Sequence, residues 1–543
     1  MIRNKRFVAA LVLVLAGITG LGLIYRPDPL FLIKKNFTIF SEVYNEVSEG
    51  YVVEVDPEKL MRHGIRSMLE TLDPYTVLIE ESQIPEIDIM SRGGYSGVGI
   101  EVGSRGGRLV VIAPVEGYSA HRKGVRAGDV ILEVNGMTAE TLSADELQLQ
   151  MRGDTGTTVE ITIERFGVDT PLIFELTRER IEVRNITSYG IIDETGRTGY
   201  IQLSRFGQNT AEEVRNAINE MRSDGGLNSL ILDLRNNPGG LLFEAVKTVD
   251  KFVGPGIGVV TTRGRAIESS TVFRTEEAPM FGEEPLVVLI NNGSASASEI
   301  VAGALQDLDR AVIVGERSFG KGLVQIVKPL SFNLALKITT SKYYIPSGRS
   351  IQTVDYGGAN ALDGGDDREF TTRAGRSVYQ HNGIDPDLHL DDRQQSMLEI
   401  ALSQQNHYFF FANEYAASRD AFDPESDAEA AYDAFITYLA RVGFTWSNQA
   451  ERHFAQLEQS LAAHPAGIEE DLMDRLRDRI ETAKVQELNE YSDRIRKELI
   501  TELAGRYEDS STRLFTLKAY DDGLNQALRI LSDEQQYRSV LTP

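Results

Sequence analysis

Three serines separated by single alanines lie where a predicted buried strand gives way to a helix. The strand is Leu286–Ile290, and Ser294, Ser296 and Ser298 follow it at the start of an amphipathic helical pattern. Small residues permit a tight strand-to-helix turn, and a serine there lies near free N–H groups that favour a developing oxyanion. The segment fits a catalytic nucleophile, and equally a set of helix caps assisted by Glu299.

A lysine in an apolar setting supplies a candidate base. Lys321 lies between Gly320 and Gly322, in a stretch flanked by apolar strands. A lysine has a reference pKa of about 10.4, so burial must lower this pKa by several units before the amine can accept a proton near neutral pH. Gln325 follows four residues later and can orient the amine without restoring its charge.

The distribution of histidines and the lack of cysteines narrow the chemistry. The chain has no cysteine, which removes cysteine nucleophiles, disulfides and thiolate metal sites together. Its seven histidines all lie outside residues 122–380: His63, His121, His381, His389, His407, His453 and His464. A Ser–His–Asp triad built within that region is therefore excluded, as is an HExxH zinc site. If a serine there is the nucleophile, lysine is the natural base.

A glycine turn after a second predicted buried strand is a candidate anion-binding element. The segment Asp233–Leu242 reads DLRNNPGGLL and passes from the strand into a helix. Exposed N–H groups at such a turn suit anion stabilisation. A turn that needs glycine for steric reasons alone explains the pattern as well.

Composition and charge limit the function classes. The 543 residues are 41% hydrophobic and 25% charged, which is typical of a globular protein of several domains. A formal net charge of -25 argues against a nucleic-acid-binding protein, because the phosphate backbone requires a basic surface.

The N-terminus carries a targeting pattern. Arg3, Lys5 and Arg6 precede the uncharged stretch Phe7–Ile24, whose eighteen residues would span roughly 27 Å as a helix, close to the thickness of a bilayer core. We expect a single-pass inner-membrane anchor of a bacterial protein, with the remainder in the periplasm or otherwise outside the cytoplasm. A cleaved signal peptide is the alternative, although no Ala-x-Ala site follows the apolar run.

Periodicity divides the rest of the chain into a multidomain α/β plus β protein. Short β-rich runs with glycine turns indicate a small β module, alternating strands and helices indicate an α/β core, and Glu/Arg/Leu/Ala periodicity indicates a C-terminal helical domain. A Gly- and Asp-rich stretch over residues 353–382 predicts a long loop or insertion. The predicted divisions are a cytoplasmic tail (1–6), an anchor (7–24), an N-terminal helical segment (27–91), the β module (92–180), the α/β core (181–392) and the helical domain (393–543).

The motifs in this order resemble the C-terminal processing peptidases, or tail-specific proteases. The resemblance covers roughly residues 35–390, and its markers are Leu72-Asp73-Pro74, Gly97-Val98-Gly99-Ile100, Arg235–Gly240, Gly293–Glu299, Gly315–Lys321, Tyr343–Gly348 and Gly383–Asp387. It implies a serine endopeptidase with a Ser–Lys site in which Ser296 is the nucleophile and Lys321 the base. Gln325 then matches the orienting residue, and Gly239 and Ala297 match the backbone donors of the oxyanion hole. The sequence departs from the family by inserting about 30 residues between the last two markers.

The β module resembles a PDZ domain inserted in the protease. The resemblance implies that Gly97, Val98, Gly99 and Ile100 form the loop whose N–H groups hold the C-terminal carboxylate of a polypeptide substrate. Arg152 aligns with an arginine that couples the position of this domain to activity in some relatives, and an ordinary surface arginine is the alternative. No metal or organic cofactor is implied. The helices from Asp471 to Tyr507 could join copies of the chain into a homo-oligomer or simply form a solvated cap.

Two other function classes remain to be tested. The segment Gly315–Lys321 fits GxxxxGK, but Gly322 stands where a nucleotide-binding P-loop needs Ser or Thr. A non-catalytic, membrane-anchored PDZ scaffold is the second class, and it would have no need of Ser296, Lys321 and Gln325.

Overall fold

The computed structural model describes residues 29–83, 93–193, 197–223, 226–265, 270–354, 356, 368–380, 382–390, 395–463, 470–507 and 510–543. The predicted anchor, residues 7–24, lies outside the described residues. Among the helices of the described ranges, none combines the length and apolar character needed to cross a membrane. The chain forms two compact units, one of residues up to Ile79 together with Val327–Ile338, and the other of the remaining residues.

The first unit contains two helices and a short strand. They are α1 (Pro29–Gly50), α2 (Pro57–Glu70) and β1 (Val77–Ile79). Asp56 caps α2 by accepting from two backbone N–H groups, and Asp73 closes the following turn by accepting from the N–H groups of Tyr75 and Thr76, each at 2.8 Å. β1 pairs antiparallel with residues 335–337.

The β-rich module opens the second unit. After a 3₁₀ turn at Glu81–Gln83, its elements are β2 (Gly94–Gly97), β3 (Ile100–Arg105), β4 (Arg108–Pro114), α3 (Ser119–Lys123), β5 (Val130–Val134), β6 (Met137–Thr138), α4 (Ala144–Met151), β7 (Thr158–Glu164), β8 (Leu172–Thr177) and β9 (Glu179–Glu182). Alternating buried residues in β7 face one hydrophobic core, as the period-2 pattern predicts. β3 is an edge strand of this sheet and lies beside α4.

The α/β core follows, as the alternation of strands and helices predicts. Its elements are β10 (Ile186–Ile191), β11 (Thr198–Leu203), α5 (Thr210–Ser223), β12 (Ser229–Asp233), α6 (Leu242–Val249), β13 (Gly258–Gly264), β14 (Thr271–Arg274), β15 (Leu286–Ile290), α7 (Ala297–Asp307), β16 (Val312–Gly315), β17 (Leu323–Pro329), β18 (Ala335–Tyr344), β19 (Glu369–Thr371), β20 (Ser377–Tyr379) and β21 (Leu388–His389).

A six-stranded sheet organises this core. Its order is β10-β11-β12-β15-β16-β21, with all pairs parallel except β10 with β11. Every residue of β15 is buried, because the sheet is covered on both faces. Leu286, Val288 and Ile290 pack in the cluster that contains α5, α6 and α7, whereas Val287 and Leu289 belong to the cluster on the other face. Loops at the carboxyl ends of β12 and β15 therefore meet at one edge of the sheet.

Part of the predicted 353–382 loop is a β-hairpin. Strands β19 and β20 pair antiparallel around Gly375, which has φ +98°. Arg376 holds the hairpin to the core through ion pairs with Asp309 at 2.7 Å and Asp387 at 2.6 Å. Strands of three residues in a polar segment carry no clear periodicity, so long-range contacts such as these ion pairs explain the hairpin.

The C-terminal part is helical but divides by packing. It comprises α8 (Met397–Gln404), α9 (His407–Ala417), α10 (Pro424–Arg441), α11 (Gln449–Ala463), α12 (Glu470–Glu490), α13 (Ser492–Tyr507), α14 (Ser510–Leu517), α15 (Asp522–Ser532) and α16 (Glu534–Val540). Helices α8, α9, α10 and α13 share their own core, rich in aromatic rings. Helices α15 and α16 pack against the protease sheet instead.

Candidate active site

Ser296 lies on a strained turn between β15 and α7. Its backbone has φ +57° and ψ -110°, a conformation that L-residues rarely adopt. A serine held this way at the junction of a strand and a helix is the arrangement of a nucleophile elbow, in which the hydroxyl projects from the end of the sheet. We call residues 291–299 the elbow segment.

The three serines of the elbow segment have different surroundings. The Ser294 hydroxyl donates to the Leu234 carbonyl at 2.8 Å, and the Ser298 hydroxyl donates to the Asn237 carbonyl at 2.9 Å. Both side chains are completely buried, whereas Ser296 is only half-buried. Ser294 and Ser298 thus tie the elbow segment to the loop after β12, and Ser296 is the serine of the three that a substrate can reach.

The loop after β12 passes directly beside Ser296. Gly239 has φ +100°, and a Cβ atom there would lie 2.6 Å from the Ala295 carbonyl oxygen and 2.8 Å from the Ala297 nitrogen. Only glycine allows this approach. The Gly239 N–H donates to the Asn237 side-chain oxygen at 2.9 Å, and the Asn237 amide in turn donates to the Leu203 carbonyl at 2.9 Å. In this arrangement the Gly239 N–H is therefore engaged within its own loop.

Lys321 lies two residues before strand β17. We call residues 318–325 the base segment. Lys321 is half-buried, less enclosed than the sequence predicts. The Tyr343 hydroxyl lies 3.1 Å from the Ser296 carbonyl oxygen and also within hydrogen-bonding distance of the Lys321 carbonyl, to either of which it can donate. The backbones of the two residues are therefore neighbours.

Glu299 joins the elbow segment to the base segment. One carboxylate oxygen accepts from the Ser318 hydroxyl at 2.6 Å and the Gly320 N–H at 2.7 Å. The other accepts from the Ser296 N–H at 2.7 Å and the Lys321 N–H at 2.9 Å. Burial raises the pKa of Glu299 to about 7, against the lowering effect of these hydrogen bonds. The sequence indicates only a helix cap here, because a glutamate three residues after a serine is the signature of a capping box.

Gln325 is held less firmly than the elbow segment. It lies in β17, half-buried, and its side-chain amide donates to the Thr339 hydroxyl at 3.3 Å. This distance is long for a hydrogen bond and implies a weak contact. Gln325 thus lies on β17, four residues after Lys321, and the strand sets its position.

The residues predicted to bind a substrate tail lie together in the β-rich module. Residue Gly97 forms an isolated antiparallel bridge with Arg152, so the loop Gly97–Ile100 and the arginine are adjacent. The Arg152 guanidinium lies over the Tyr95 ring, 5.3 Å from its centroid. Val98 and Ile100 are buried in the core of the module, which fixes the loop.

Three family models match the chain. They are described as "Peptidase family S41" over residues 197–357, "PDZ domain" over 86–164 and "Probable PDZ-protease, C-terminal helical domain" over 398–531. A carboxy-terminal-processing protease of Bartonella bacilliformis is 39% identical over 323 residues, which cover 59% of this chain and 73% of that protein. The chain belongs to the carboxy-terminal processing protease family.

A second curated relative agrees with this membership. A carboxyl-terminal-processing protease of Synechocystis is 37% identical over 53% of this chain and 67% of its own length. Among solved structures, the photosystem II D1 C-terminal processing protease is 27% identical and covers 68% of this chain and 96% of its own, with a TM-score of 0.36. The protein is a serine-type peptidase with a PDZ domain, an S41 core and a C-terminal helical domain.

The structure also bears on the nucleotide-binding alternative. In a P-loop, the lysine of GxxxxGK opens a helix whose N-terminus cradles the phosphates. In this protease Lys321 leads into strand β17, so the segment lacks that helix. The membership in a peptidase family likewise removes the reason to prefer a non-catalytic scaffold.

Proposed function

We propose that this protease is an endopeptidase with a Ser–Lys catalytic site in which Ser296 is the nucleophile and Lys321 the general base. Gln325 orients the amine of Lys321. The backbone N–H groups of Gly239 and Ala297 stabilise the oxyanion.

The chemistry proceeds by an acyl-enzyme. The neutral Lys321 amine takes the proton of the Ser296 hydroxyl as its oxygen bonds to the peptide carbonyl carbon. The Lys321 ammonium then gives this proton to the departing amine, and the peptide C–N bond breaks. A water molecule then gives a proton to the Lys321 amine as its oxygen attacks the ester carbon. The Lys321 ammonium returns this proton to the Ser296 oxygen, which leaves as the hydroxyl. These steps consume only the peptide and one water molecule, and they regenerate Ser296 and the neutral amine of Lys321.

The observation that carries this proposal is the strained backbone of Ser296. A backbone in a sparsely populated region costs of order 1–3 kcal/mol and persists only when its surroundings hold it. The hydrogen bonds from Ser296 and Lys321 to Glu299 provide that hold and fix the two reacting residues on adjacent backbones. The hydroxyls of the neighbouring serines, Ser294 and Ser298, instead donate hydrogen bonds to buried backbone carbonyls.

One local rearrangement completes the oxyanion hole. The Gly239 N–H must leave the Asn237 side chain and turn towards the carbonyl of the substrate. A glycine at φ +100° can make this peptide rotation without a side-chain clash. We infer that binding of the substrate drives this rotation.

Substrate capture is assigned to the PDZ domain. The loop Gly97–Ile100 holds the terminal carboxylate, the free edge of β3 pairs with the substrate tail, and Arg152 connects the loop to the rest of the module. The proteins processed or degraded in this way are extracytoplasmic polypeptides with exposed C-termini.

The direct experiment compares degradation of an unfolded protein with an apolar C-terminus by the wild type, Ser296→Ala and Lys321→Ala. Both variants should lose the ability to degrade this protein. A fluorophosphonate should label the wild type at Ser296 and should leave Ser296→Ala unlabelled. Lys328→Ala is the matched control, because Lys328 is an exposed lysine on β17, the strand that Lys321 precedes by two residues. Equal turnover by all four proteins would contradict the Ser–Lys assignment, and a substrate with an amidated C-terminus should be degraded more slowly than the free acid.

The membrane anchor and location form a separate part of the proposal. Residues 7–24 span the bacterial inner membrane once, and the catalytic part lies in the periplasm or otherwise outside the cytoplasm. The full chain should remain in the membrane fraction after a carbonate wash, whereas a chain starting at Asp28 should not. Release of both forms would refute the anchor.

The last part of the proposed function is homo-oligomerisation through the C-terminal helices. Leu472 and Leu476 of α12 have exposed fractions of 51% and 41%, and they lie one helical turn apart. A second copy of the chain would cover this apolar stripe. Light scattering should give a smaller mass for Leu472→Lys/Leu476→Lys than for the wild type, and an unchanged mass would exclude this face.

A further inference from the structure

The last two helices, α15 and α16, cover one face of the six-stranded protease sheet. Leu524, Ala527 and Ile530 of α15 and Tyr537 of α16 pack against the face formed by β11, β12, β15 and β16. The Tyr537 hydroxyl lies 3.0 Å from the Leu286 nitrogen and 3.1 Å from its carbonyl oxygen. The two helices bury the apolar residues on this face of the sheet. This packing holds α15 against the strands, among them β12.

The residue that begins α15 also binds the arginine that follows β12. Asp521 caps the helix by accepting from the Leu524 N–H at 2.9 Å. The same carboxylate accepts from both terminal nitrogens of Arg235, at 2.9 Å and 2.7 Å. A bidentate pair of this kind fixes the plane of the guanidinium as well as its distance. Burial opposes ionisation of Asp521, but the hydrogen bonds and charge of Arg235 lower its pKa.

Arg235 is held from its other side by a buried carboxylate. Asp233 is completely buried, accepts from the Arg235 side chain at 2.5–3.0 Å and accepts from the Tyr200 hydroxyl at 2.7 Å. The guanidinium therefore lies between two carboxylates, one on the sheet and one on α15. Asp233 accepts from Nε and Nη2 of Arg235, whereas Asp521 accepts from Nη1 and Nη2, so the two carboxylates together engage all three nitrogens of the guanidinium.

The position of Arg235 sets the start of the loop that reaches Ser296. Asn236 follows at φ +59° and exchanges two hydrogen bonds with the side chain of Asn291 in the elbow segment, at 2.8 Å and 3.0 Å. Gly239 lies three residues further along the same loop. A displacement of Arg235 is thus transmitted over a short, tightly bonded stretch to the proposed oxyanion donor.

We propose that Asp521 is a positioning residue for catalysis. Through Arg235 it holds the loop 236–240 in register with Ser296, so that activity depends on the docking of α15 on the sheet. This inference rests on the proposed function, because it acts through Gly239 as an oxyanion donor. Misplacement of catalytic groups by about 1 Å costs of order a hundredfold in rate, so a partial loosening should cost about tenfold.

The test compares full-length Asp521→Asn and Asp521→Ser with Asp522→Asn. Asn and Ser both keep a helix cap, whereas neither keeps the ion pair. Asp522 is the matched control, because it is the adjacent residue, its side chain is 82% exposed, and it pairs with Lys497 at 3.2 Å. With an unfolded protein as substrate, kcat should fall about tenfold in both Asp521 variants while KM stays within about twofold. The rate at which a fluorophosphonate labels Ser296 should fall in parallel.

Two outcomes would overturn the inference. One is an unchanged kcat in both Asp521 variants while Asp522→Asn is also unchanged. The other is a loss of kcat that equals the fraction of unfolded protein measured by thermal denaturation, since this would make the role purely structural. Failure of the proposed function is recognised separately, because Ser296→Ala would then retain wild-type activity whatever the Asp521 variants do.

Discussion

The elbow segment and the base segment carry the two proposed catalytic side chains, Ser296 and Lys321, but are built differently. In the elbow segment, Ser294, Ser298 and Glu299 are completely buried and each forms a hydrogen bond to another part of the core. In the base segment, the Lys321 and Gln325 side chains are half-buried, and the Gln325 amide donates to the Thr339 hydroxyl at 3.3 Å. The comparison teaches that Glu299 holds the backbones of both segments firmly, whereas the side chain of Gln325 depends on a weaker contact.

The elbow segment should be intolerant of any added atom at Gly239. In Gly239→Ala, the new methyl group would collide with backbone atoms 2.6 Å and 2.8 Å away, and the residue would keep an unfavourable positive φ. We expect activity on an unfolded protein to fall about a thousandfold, the effect of losing an oxyanion donor. Gly254→Ala is the control, because a Cβ there meets no atom within 4 Å. Retention of a tenth of the activity by Gly239→Ala would contradict the role assigned to this loop.

Glu299 should be nearly as sensitive, since it connects the two segments. In Glu299→Gln, either orientation of the amide turns an NH₂ group towards at least one backbone N–H that now needs an acceptor. We expect kcat to fall about a hundredfold. Glu146→Gln supplies the control, because Glu146 forms the same capping box with Ser143 and both residues are exposed. A loss of similar size in both variants would indicate that capping alone is involved.

The pH dependence of stability should report the burial of Glu299. The pKa of Glu299 in the folded protein, about 7, lies above its ordinary value of 4.5. Between pH 4.5 and pH 7 the folded state therefore binds more protons at this carboxyl than the unfolded state does. The free energy of unfolding of the wild type relative to Glu299→Gln should therefore rise as pH falls, by up to about 2 kcal/mol between pH 7 and about 5.5. Denaturant titrations at the two pH values measure this difference. A change of opposite sign would mean that the four hydrogen bonds outweigh burial.

The base segment should give the smallest effects. Gln325→Ala should lower kcat about tenfold with little change in thermal stability, because it removes one weak contact and the orientation of the amine. Gln325→Glu should move the acidic limb of the pH profile of kcat/KM upwards, because a carboxylate near Lys321 raises the pKa of the amine. Thr339→Val is the control that removes the 3.3 Å contact and keeps Gln325. A profile unaffected by Gln325→Glu would separate Gln325 from the base.

Much of the fold followed from local patterns. Strand β15 has the predicted bounds, Leu286–Ile290, and the predicted helix after the three serines is α7. A run of apolar residues between glycine turns constrains the backbone through neighbours in the sequence alone. The sequence did not predict the hairpin of β19 and β20, because contacts with distant residues hold it, among them the ion pairs of Arg376 with Asp309 and Asp387.

The sequence by itself determined the order of the motifs, the strand-turn-helix junction after β15, and the exclusion of a histidine base from the region around it. These properties depend on residue types and local spacing. The tertiary structure alone decided that Ser296 is the strained serine, that Glu299 joins two segments and that Gly239 donates to Asn237. It also brought together Arg235 and Asp521, which are 286 residues apart. Burial and hydrogen-bond partners arise from contacts between distant parts of the chain, and no local pattern encodes them.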